Sequence, residues 1–592
     1  MLSKFNTNNE PCVKVFALGG LDENGKNMYC IETIDSIFVI EAGSKYPDLT
    51  NPGIDVIIPD MSYLKEHASK IKAIIISHGH DDEYGALPYL LKIANVPVYT
   101  TMTAKIFIMA DFGKKYPNLF NFHIIKPSDD VLISGYPFHF FGTTHTVMES
   151  FGFSVETQAG SIVYTGNYIS DFGIQGHFTF DLSKIAKIAD EHKTLLMLAE
   201  SSGADKPGIV SPTHKITPHI KSLIEEGNRR VIIACYTQNM YIISEIIALA
   251  IKNHKRLVIA NPHFIDVLPQ FIANGDLMIP RANQCAIEDI PQYAPSDLIV
   301  LITGSGEELY DYLEDLGHHE NKEKTFQIDK NDAIVLACPS VPSTETKAVE
   351  AVDALYTTGA KMLILSRKDL SSMHAQEEDL KMLISIFRPK YYMPVEGEFR
   401  LMMANAKVAG TIGYTPDKIF LLDNGMALSF DAAGNAVLPV TNQFYPGNVF
   451  IDGLGVGDVR SNIIDERTQM SEGGVIVLGA TFSSKLHQLI TKPVVEMKGF
   501  VFLRDSESTV KSVNQIFNNA LNELVAQIKP NVVASMQKMM RTMSDEMIRQ
   551  TGKNPLILPS VIDIDNPIAA DIKPDGSSSE FSSPLPKPAA QD

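Results

Sequence analysis

A run of apolar and β-branched residues, Ala73-Ile74-Ile75-Ile76, ends abruptly in Ser77-His78-Gly79-His80-Asp81-Asp82-Glu83. The run has the length and residue type of a buried strand, and it is too short for a helix. An apolar helical stretch at 87–93 follows Gly85, so the polar residues lie on a loop between a strand and a helix. This order of elements constrains the fold: a buried strand feeds a helix, as in layered α/β proteins. It also places two histidines and three acids at one strand end. A lone His-x-His is often only a polar surface loop. Here both imidazoles can face one cation and Asp82 can reach the same site or an adjacent one, so the segment reads as a metal loop. His/His/carboxylate sets suit catalytic zinc with an open position.

The same alternation continues on both sides. Residues 13–18 and 36–40 read as further strands, divided by polar turns. From about Pro212 the pattern becomes regular, with strands at 230–234, 256–260, 298–302, 333–337 and 361–365 and a helix at 240–251. These strands are apolar almost throughout, as expected for a parallel sheet covered on both faces. Residues 439–460 hold many Gly, Asn and Asp and read as a connector. A smaller region follows, with strands at 474–478 and 499–503 and a helical pattern from Val510 that breaks at Pro530 and resumes toward Met543. The end of the chain, rich in Pro, Ser and Ala from Asp563, reads as disordered. There is no internal repeat.

With 592 residues the chain is long enough for two to four domains. The net charge of −19 argues against a protein that is basic all over and coats nucleic acid. A local basic channel is still compatible with it, because binding depends on where Lys and Arg sit. The five cysteines are Cys12, Cys30, Cys235, Cys285 and Cys338, and they form no Cys-x-x-Cys pair. Neither a thiolate zinc site nor a disulfide framework is suggested. No apolar run has the length of a signal peptide core or a membrane span, so a cytoplasmic protein is expected.

The metal loop resembles the metallo-β-lactamase motif His-x-His-x-Asp-His, with Glu83 in place of the last His. The likeness then runs along nearly the whole chain and narrows to the ribonuclease J family. Gly19-Gly20-Leu21-Asp22-Glu23-Asn24-Gly25-Lys26-Asn27-Met28-Tyr29 resembles its opening loop, and Thr143-Thr144-His145-Thr146 its third metal motif. Tyr164-Thr165-Gly166-Asn167-Tyr168 falls where the family has Thr-Gly-Asp. Thr303-Gly304-Ser305-Gly306-Glu307 resembles a loop of its inserted nucleic-acid domain. Ser372-Met373-His374-Ala375 is similar to Ser-Gly-His-Ala, and 388–400 to the final motif, with Glu396 in place of its His. The resemblance implies a metallo-β-lactamase αββα sandwich with an inserted doubly wound β-CASP domain and a small α/β C-terminal domain. The expected boundaries are 1–208 and 368–440 for the sandwich, 209–367 for the insertion, 441–470 for a linker, 471–556 for a C-terminal assembly domain and 557–592 for a disordered tail.

Carried over position by position, the resemblance implies a first metal site of His78, His80 and His145. The second would be Asp82 with Glu83 and Glu396, and Asn167 stands where an Asp bridges the two. Up to two Zn²⁺ are expected, with Mn²⁺ or Mg²⁺ possible at the second site, because hard oxygen ligands favour those cations. Two accounts compete. Asn167 points to lost or attenuated activity, since an amide bridges cations poorly. The two His-to-Glu changes point instead to retuning toward a harder metal, since Glu still coordinates. The first account is preferred, because bridging geometry matters most for the nucleophile.

The implied activity is metal-dependent hydrolysis of single-stranded RNA in processing and decay, attenuated. The alternative is an inactive RNA-binding paralogue that assembles with an active relative. Asp82 is expected to orient or deprotonate water and His374 to donate to the phosphate or leaving oxygen. Leu370, Ser371, Ser372, Met373 and His374 are expected at the substrate. Glu41 and Glu200 are expected behind the ligands. Tyr236 to Asn239 and Tyr241 lie where the family contacts RNA, although core packing explains such tyrosines as well. His123, His192, His254 and His318 match no motif and read as solvated. The expected partners are RNA and a second copy or a paralogue, with no membrane.

Overall fold

In a computed structural model of the chain, the residues described are 10–566, apart from 49, 175, 261, 322–325, 342–343, 443, 445, 454, 458–460 and 500–505. The chain divides into two compact units, residues 1–47 with 55–451 and residues 48–54 with 452–592.

The first unit is built on two facing sheets. The eight-stranded sheet runs in the order Ala436–Asn442, Met426–Phe430, Val13–Gly19, Met28–Thr33, Ile37–Ile40, Ile71–Ile75, Val98–Thr100, Phe122–Ile124. The six-stranded sheet runs Tyr391–Val395, Thr194–Glu200, Gly160–Tyr164, Phe151–Thr157, Tyr136–Gly142, Asp130–Ile133. Their inner faces share one core that includes Val15, Tyr29, Phe38, Phe138, Phe140, Phe153 and Tyr164. Helices Leu87–Ile93 and Met102–Phe112 pack on the outer face of the first sheet. Leu182–Glu191, Glu377–Phe387 and Phe399–Thr411 pack on the outer face of the second. Each sheet buries both faces, which explains apolar strands with little alternation.

Between Thr194–Glu200 and Tyr391–Val395 the chain leaves this sandwich and returns to it, the two strands lying parallel side by side. The excursion holds a five-stranded, all-parallel sheet in the order Arg256–Ile259, Leu298–Gly304, Val231–Tyr236, Ala333–Leu336, Lys361–Ile364. Helices cover both of its faces, the doubly wound arrangement expected of the insertion. Arg230 anchors its base. The guanidinium grips buried Asp332 through two nitrogens, at 3.0 and 2.5 Å.

Three expectations change. Residues 439–460 are not a plain connector: Ala436–Asn442 pairs with Met426–Phe430, and Asn448–Asp452 pairs with Val56–Pro59. Turn-type residues hid both strands, of which only the first lies at a sheet edge. Second, the supposed linker to 470 already contains helix Ser461–Gly473. Third, the tail does not start at 557. Leu556–Asp563 is a strand in parallel register with Val475–Ser483. Of the tail, 567–592 lie outside the described residues, as does the strand expected at 499–503 beyond Gly499. In the second unit, helices Ser506–Val525 and Val532–Thr551 cover one face of this sheet through Val513, Phe517, Leu521, Met536, Met539 and Met543.

Candidate metal centre

Each site residue follows, or closes, the C-terminal end of a sandwich strand. Glu41 follows Ile37–Ile40, His78 follows Ile71–Ile75, His145 follows Tyr136–Gly142, and Asn167 follows Gly160–Tyr164. Glu200 ends Thr194–Glu200 and Glu396 follows Tyr391–Val395. The metal loop is pinned by backbone bonds to two neighbours. The Asn27 N–H donates to the Asp82 carbonyl at 3.0 Å, Ala42 to Glu83 at 2.6 Å and Ser44 to Asp81 at 3.0 Å. Gly43 makes this approach possible, since a Cβ there would lie 1.6 Å from the Asp82 carbonyl oxygen. Asp81, Asp82 and Glu83 form the first turn of the short helix Asp81–Tyr84, where acids offset the unpaired N–H groups.

His78, His80 and His145 come together as the sequence implied, with ring centroids 4.7 to 5.0 Å apart. His78 Nε2 and His80 Nδ1 face each other at 3.0 Å. His145 donates from Nδ1 to the Met373 carbonyl at 2.7 Å, which leaves Nε2 buried without a hydrogen-bond partner. Thr146 Oγ1 meets His80 Nε2 at 3.0 Å and Ser77 Oγ meets His78 Nδ1 at 2.9 Å. Outer partners of this kind fix which nitrogen faces a metal. Burial, then the neighbouring imidazoles, push His78 and His145 well below the usual histidine range. Burial brings His80 down to about 4. All three are therefore neutral, as ligation requires.

The acids are frustrated in the opposite sense. Burial, followed by repulsion from Asp82 for Glu83 and from Glu200 for Glu396, raises both well above the carboxylate range. Burial brings Glu41 up to about 8 against the pull of two bonds from Ser77. Glu83 Oε2, Glu396 Oε2 and both amide atoms of Asn167 are buried without a hydrogen-bond partner. Asn167 faces Glu396 and opposes its rise. Glu41 and Glu396 have left-handed backbones, φ 60° and 55°, a strain that tends to collect at functional sites. Neutral imidazoles beside crowded, unpaired acids fit divalent cations.

The expected second set is divided. His80, Asp82 and Glu83 place ligand atoms within 4.8 Å of one another, and Glu396 does so with Glu200 and His374. Glu200 is more than a residue behind the ligands. It accepts from His374 Nδ1 at 2.7 Å, from the Ala375 N–H at 3.0 Å and from the Tyr168 N–H at 2.8 Å. Burial alone would lower His374, but the Glu200 carboxylate outweighs it and raises the imidazole. The His374 ring lies 5.1 Å from that of His145. Ser371 and Ser372 are accessible, whereas the Leu370 and Met373 side chains are core residues, so Met373 acts here through its carbonyl.

Some participants escaped the sequence reading. Asn27 donates to Glu83 Oε1 at 2.9 Å and receives Tyr29 OH at 3.2 Å. Both sit in the opening motif, which was the available signal. Gln238 of the insertion donates to Asp81 at 2.8 Å, and only the tertiary structure brings it there. Tyr241 is buried, while Tyr236 bonds to Tyr310 and to the Pro339 carbonyl. His192 is not simply solvated: it stacks on His139 with centroids 4.4 Å apart.

Comparison with known proteins agrees with this architecture. Family models match in order along the chain: the metallo-beta-lactamase superfamily over 22–214, the ribonuclease J beta-CASP domain over 228–355 and the ribonuclease J C-terminal domain over 462–564. The chain is similar to ribonuclease J 2 of Staphylococcus epidermidis, 28% identical over 553 residues, covering 93% of this chain and 98% of that protein. Ribonuclease J 2 of Staphylococcus aureus matches with the same identity and coverage. The superfamily match and the His/Asp/Glu clusters together imply divalent metal binding. With all three domains matched in sequence order and relatives aligned over nearly their full length, the chain belongs to the ribonuclease J family of the metallo-β-lactamase superfamily.

Proposed function

We propose that the chain is a metal-dependent ribonuclease that hydrolyses phosphodiesters of single-stranded RNA in processing and decay, with a rate attenuated at Asn167. One observation carries the reading: three neutral imidazoles, two of them buried, converge beside a His374 that Glu200 orients and keeps basic. His78, His80 and His145 would hold Zn²⁺. Asp82, Glu83 and Glu396 offer oxygen to a second cation, for which Mn²⁺ or Mg²⁺ suits as well as Zn²⁺. Bound divalent cations lower the pKa of water from about 15.7 to about 7 and offset charge on the phosphoryl oxygens.

The side chains supply the rest. Asp82 is half-buried on the metal loop and takes the proton of the attacking water. His374 donates a hydrogen bond from Nδ1 to Glu200, which leaves the other ring nitrogen for a phosphate or leaving oxygen. Ser371 and Ser372 offer hydroxyls on the same loop, and Ser371 is held by Thr213 at 2.8 Å. A 5′-monophosphorylated single-stranded RNA, incubated with metal-loaded protein and with a His78→Ala, His145→Ala variant, tests the assignment. Cleavage that the variant loses supports it.

A second reading has its own support. The unpartnered Asn167 amide stands where the family carries an acid, which suits an inactive RNA-binding paralogue. Assembly with another copy or with an active relative fits either reading. In the second unit the sheet face away from its helices exposes Val477, Val494, Leu558 and Ile562. Among the described residues no helix is long and apolar enough to cross a membrane. The described cysteines are all free thiols, in keeping with a proposed cytoplasmic setting.

A further inference from the structure

Behind the loop that carries His145 lies a second group of ligand-type side chains that the catalytic reading does not use. Glu149, His177 and Asp276 bring two carboxylates and an imidazole within 4.8 Å of one another. Glu149 and His177 belong to the sandwich. Asp276 belongs to the insertion, just after helix Pro262–Asn274. The Asp276 side chain is 1% exposed, and its Oδ1 has no hydrogen-bond partner. Its Oδ2 is already held by Asn274 Nδ2 at 2.7 Å. A buried carboxylate oxygen left unused is costly unless something occupies the space before it.

The spacing indicates what that is. His177 Nδ1 stands 3.4 Å from Asp276 Oδ1. Hydrogen bonds from N–H to oxygen cluster near about 2.9 to 3.0 Å, so this gap is wide for a direct bond. In a tetrahedral zinc site, bonds of about 2.0 to 2.1 Å put neighbouring ligand atoms about 3.3 Å apart. The gap has that width. Glu149 is also fixed in place. Its Oε2 accepts from the Thr103 N–H at 3.1 Å and from Thr103 Oγ1 at 2.9 Å. Its own N–H donates to the His177 carbonyl at 2.7 Å, and its backbone is held at φ 60°. His177 is 41% exposed, which leaves a route for a cation and a water to complete the set.

We propose that Glu149, His177 and Asp276 bind a divalent cation of the zinc class, separate from the catalytic centre, which fastens the insertion to the loop bearing His145. One imidazole and two carboxylates suit Zn²⁺. The site does not depend on the nuclease reading, because none of its residues belongs to the catalytic set.

The test uses the full chain carrying His78→Ala and His80→Ala, which disables the three-imidazole site. The protein is stripped with EDTA, reloaded with zinc chloride, freed of excess metal and measured by elemental analysis. Addition of Asp276→Asn, which keeps the side-chain volume, or of His177→Ala should remove one zinc per chain. It should also abolish the zinc-induced rise in unfolding temperature that remains in the parent. Equal zinc content with and without these changes would overturn the proposal, as would a parent that retains no zinc. Crystals of the unmutated protein give an independent answer at the zinc absorption edge. An anomalous peak between the three residues is expected, and a peak at the His78 cluster alone would overturn the site.

Discussion

Asn167→Asp probes the part of the metal centre where this chain departs most from its family. Asn167 is 2% exposed, and neither amide atom has a hydrogen-bond partner. Its surroundings already hold Glu41, Glu83 and Glu396, all raised by burial and repulsion. In stripped protein a further carboxylate must ionise unpaired or keep its proton. Leaving a buried charge unpaired costs roughly 3 to 5 kcal/mol. The stripped variant should therefore unfold at a clearly lower temperature than the parent at pH 8, and the gap should narrow at pH 5. A divalent cation should close most of that gap. If the added oxygen tightens metal binding about 100-fold, saturating metal returns about 2.7 kcal/mol. The assay is thermal unfolding with EDTA, Zn²⁺, Mn²⁺ or Mg²⁺, alongside metal affinity by competition. RNA cleavage should rise more than in Glu83→His or Glu396→His, since those acids already offer an oxygen. Equal unfolding temperatures in EDTA together with unchanged metal affinity would refute the reasoning. Should the unmutated protein cleave with Mn²⁺ at a rate that no reversion improves, the site is retuned rather than attenuated.

Three further outcomes are expected. Glu41 is raised from 4.5 to about 8, so its folded form holds a proton that the unfolded chain releases. This contribution to stability is complete below about pH 4.5 and is lost as pH rises to about 8, so stripped protein should be less stable at pH 8 than at pH 6, with added metal closing the difference. His374 is raised by Glu200, so its protonated form is favoured, and a rate that needs that form should fall as pH rises through its folded value. Glu200→Gln should move that fall to lower pH, His374→Ala should lower kcat by about 10²-fold or more, and an unmoved profile would remove His374 from the proton inventory. Truncation should lower the particle mass in light scattering if the second unit assembles copies. The cut belongs after residue 460, because a break at 442 would strip Asn448–Asp452 from its pairing with Val56–Pro59.

The fold was legible where periodicity was strong. The five parallel strands of the insertion stand within a residue or two of their expected places, because short apolar runs divided by polar turns mark them, even at the exposed edge strand Lys361–Ile364. Two later strands were not legible: Asn, Asp, Pro and Ser interrupt the short apolar runs of Asn448–Asp452 and Leu556–Asp563, which read as connector and tail. At the metal centre, His78, His80 and His145 were legible from motif order alone. The division of the acids was not. Glu396 sits with Glu200 and His374 because the parallel pairing of Tyr391–Val395 with Thr194–Glu200 sets their ends side by side. Gln238 and the Met373 carbonyl reach the site from the insertion and from its return loop, and no local pattern encodes such contacts.

The central claim is that His78, His80 and His145 hold a metal that this chain uses to cut RNA. It is tested most directly by stripping the purified full chain with EDTA and assaying a 5′-monophosphorylated single-stranded RNA before and after Zn²⁺, Mn²⁺ or Mg²⁺ is restored, with bound metal counted in the same samples. The account predicts slow cleavage that disappears on stripping, returns with metal, and is absent together with one bound cation in His78→Ala, His145→Ala protein. Metal bound without any cleavage above that variant would contradict it and leave the chain as an RNA-binding member of its family.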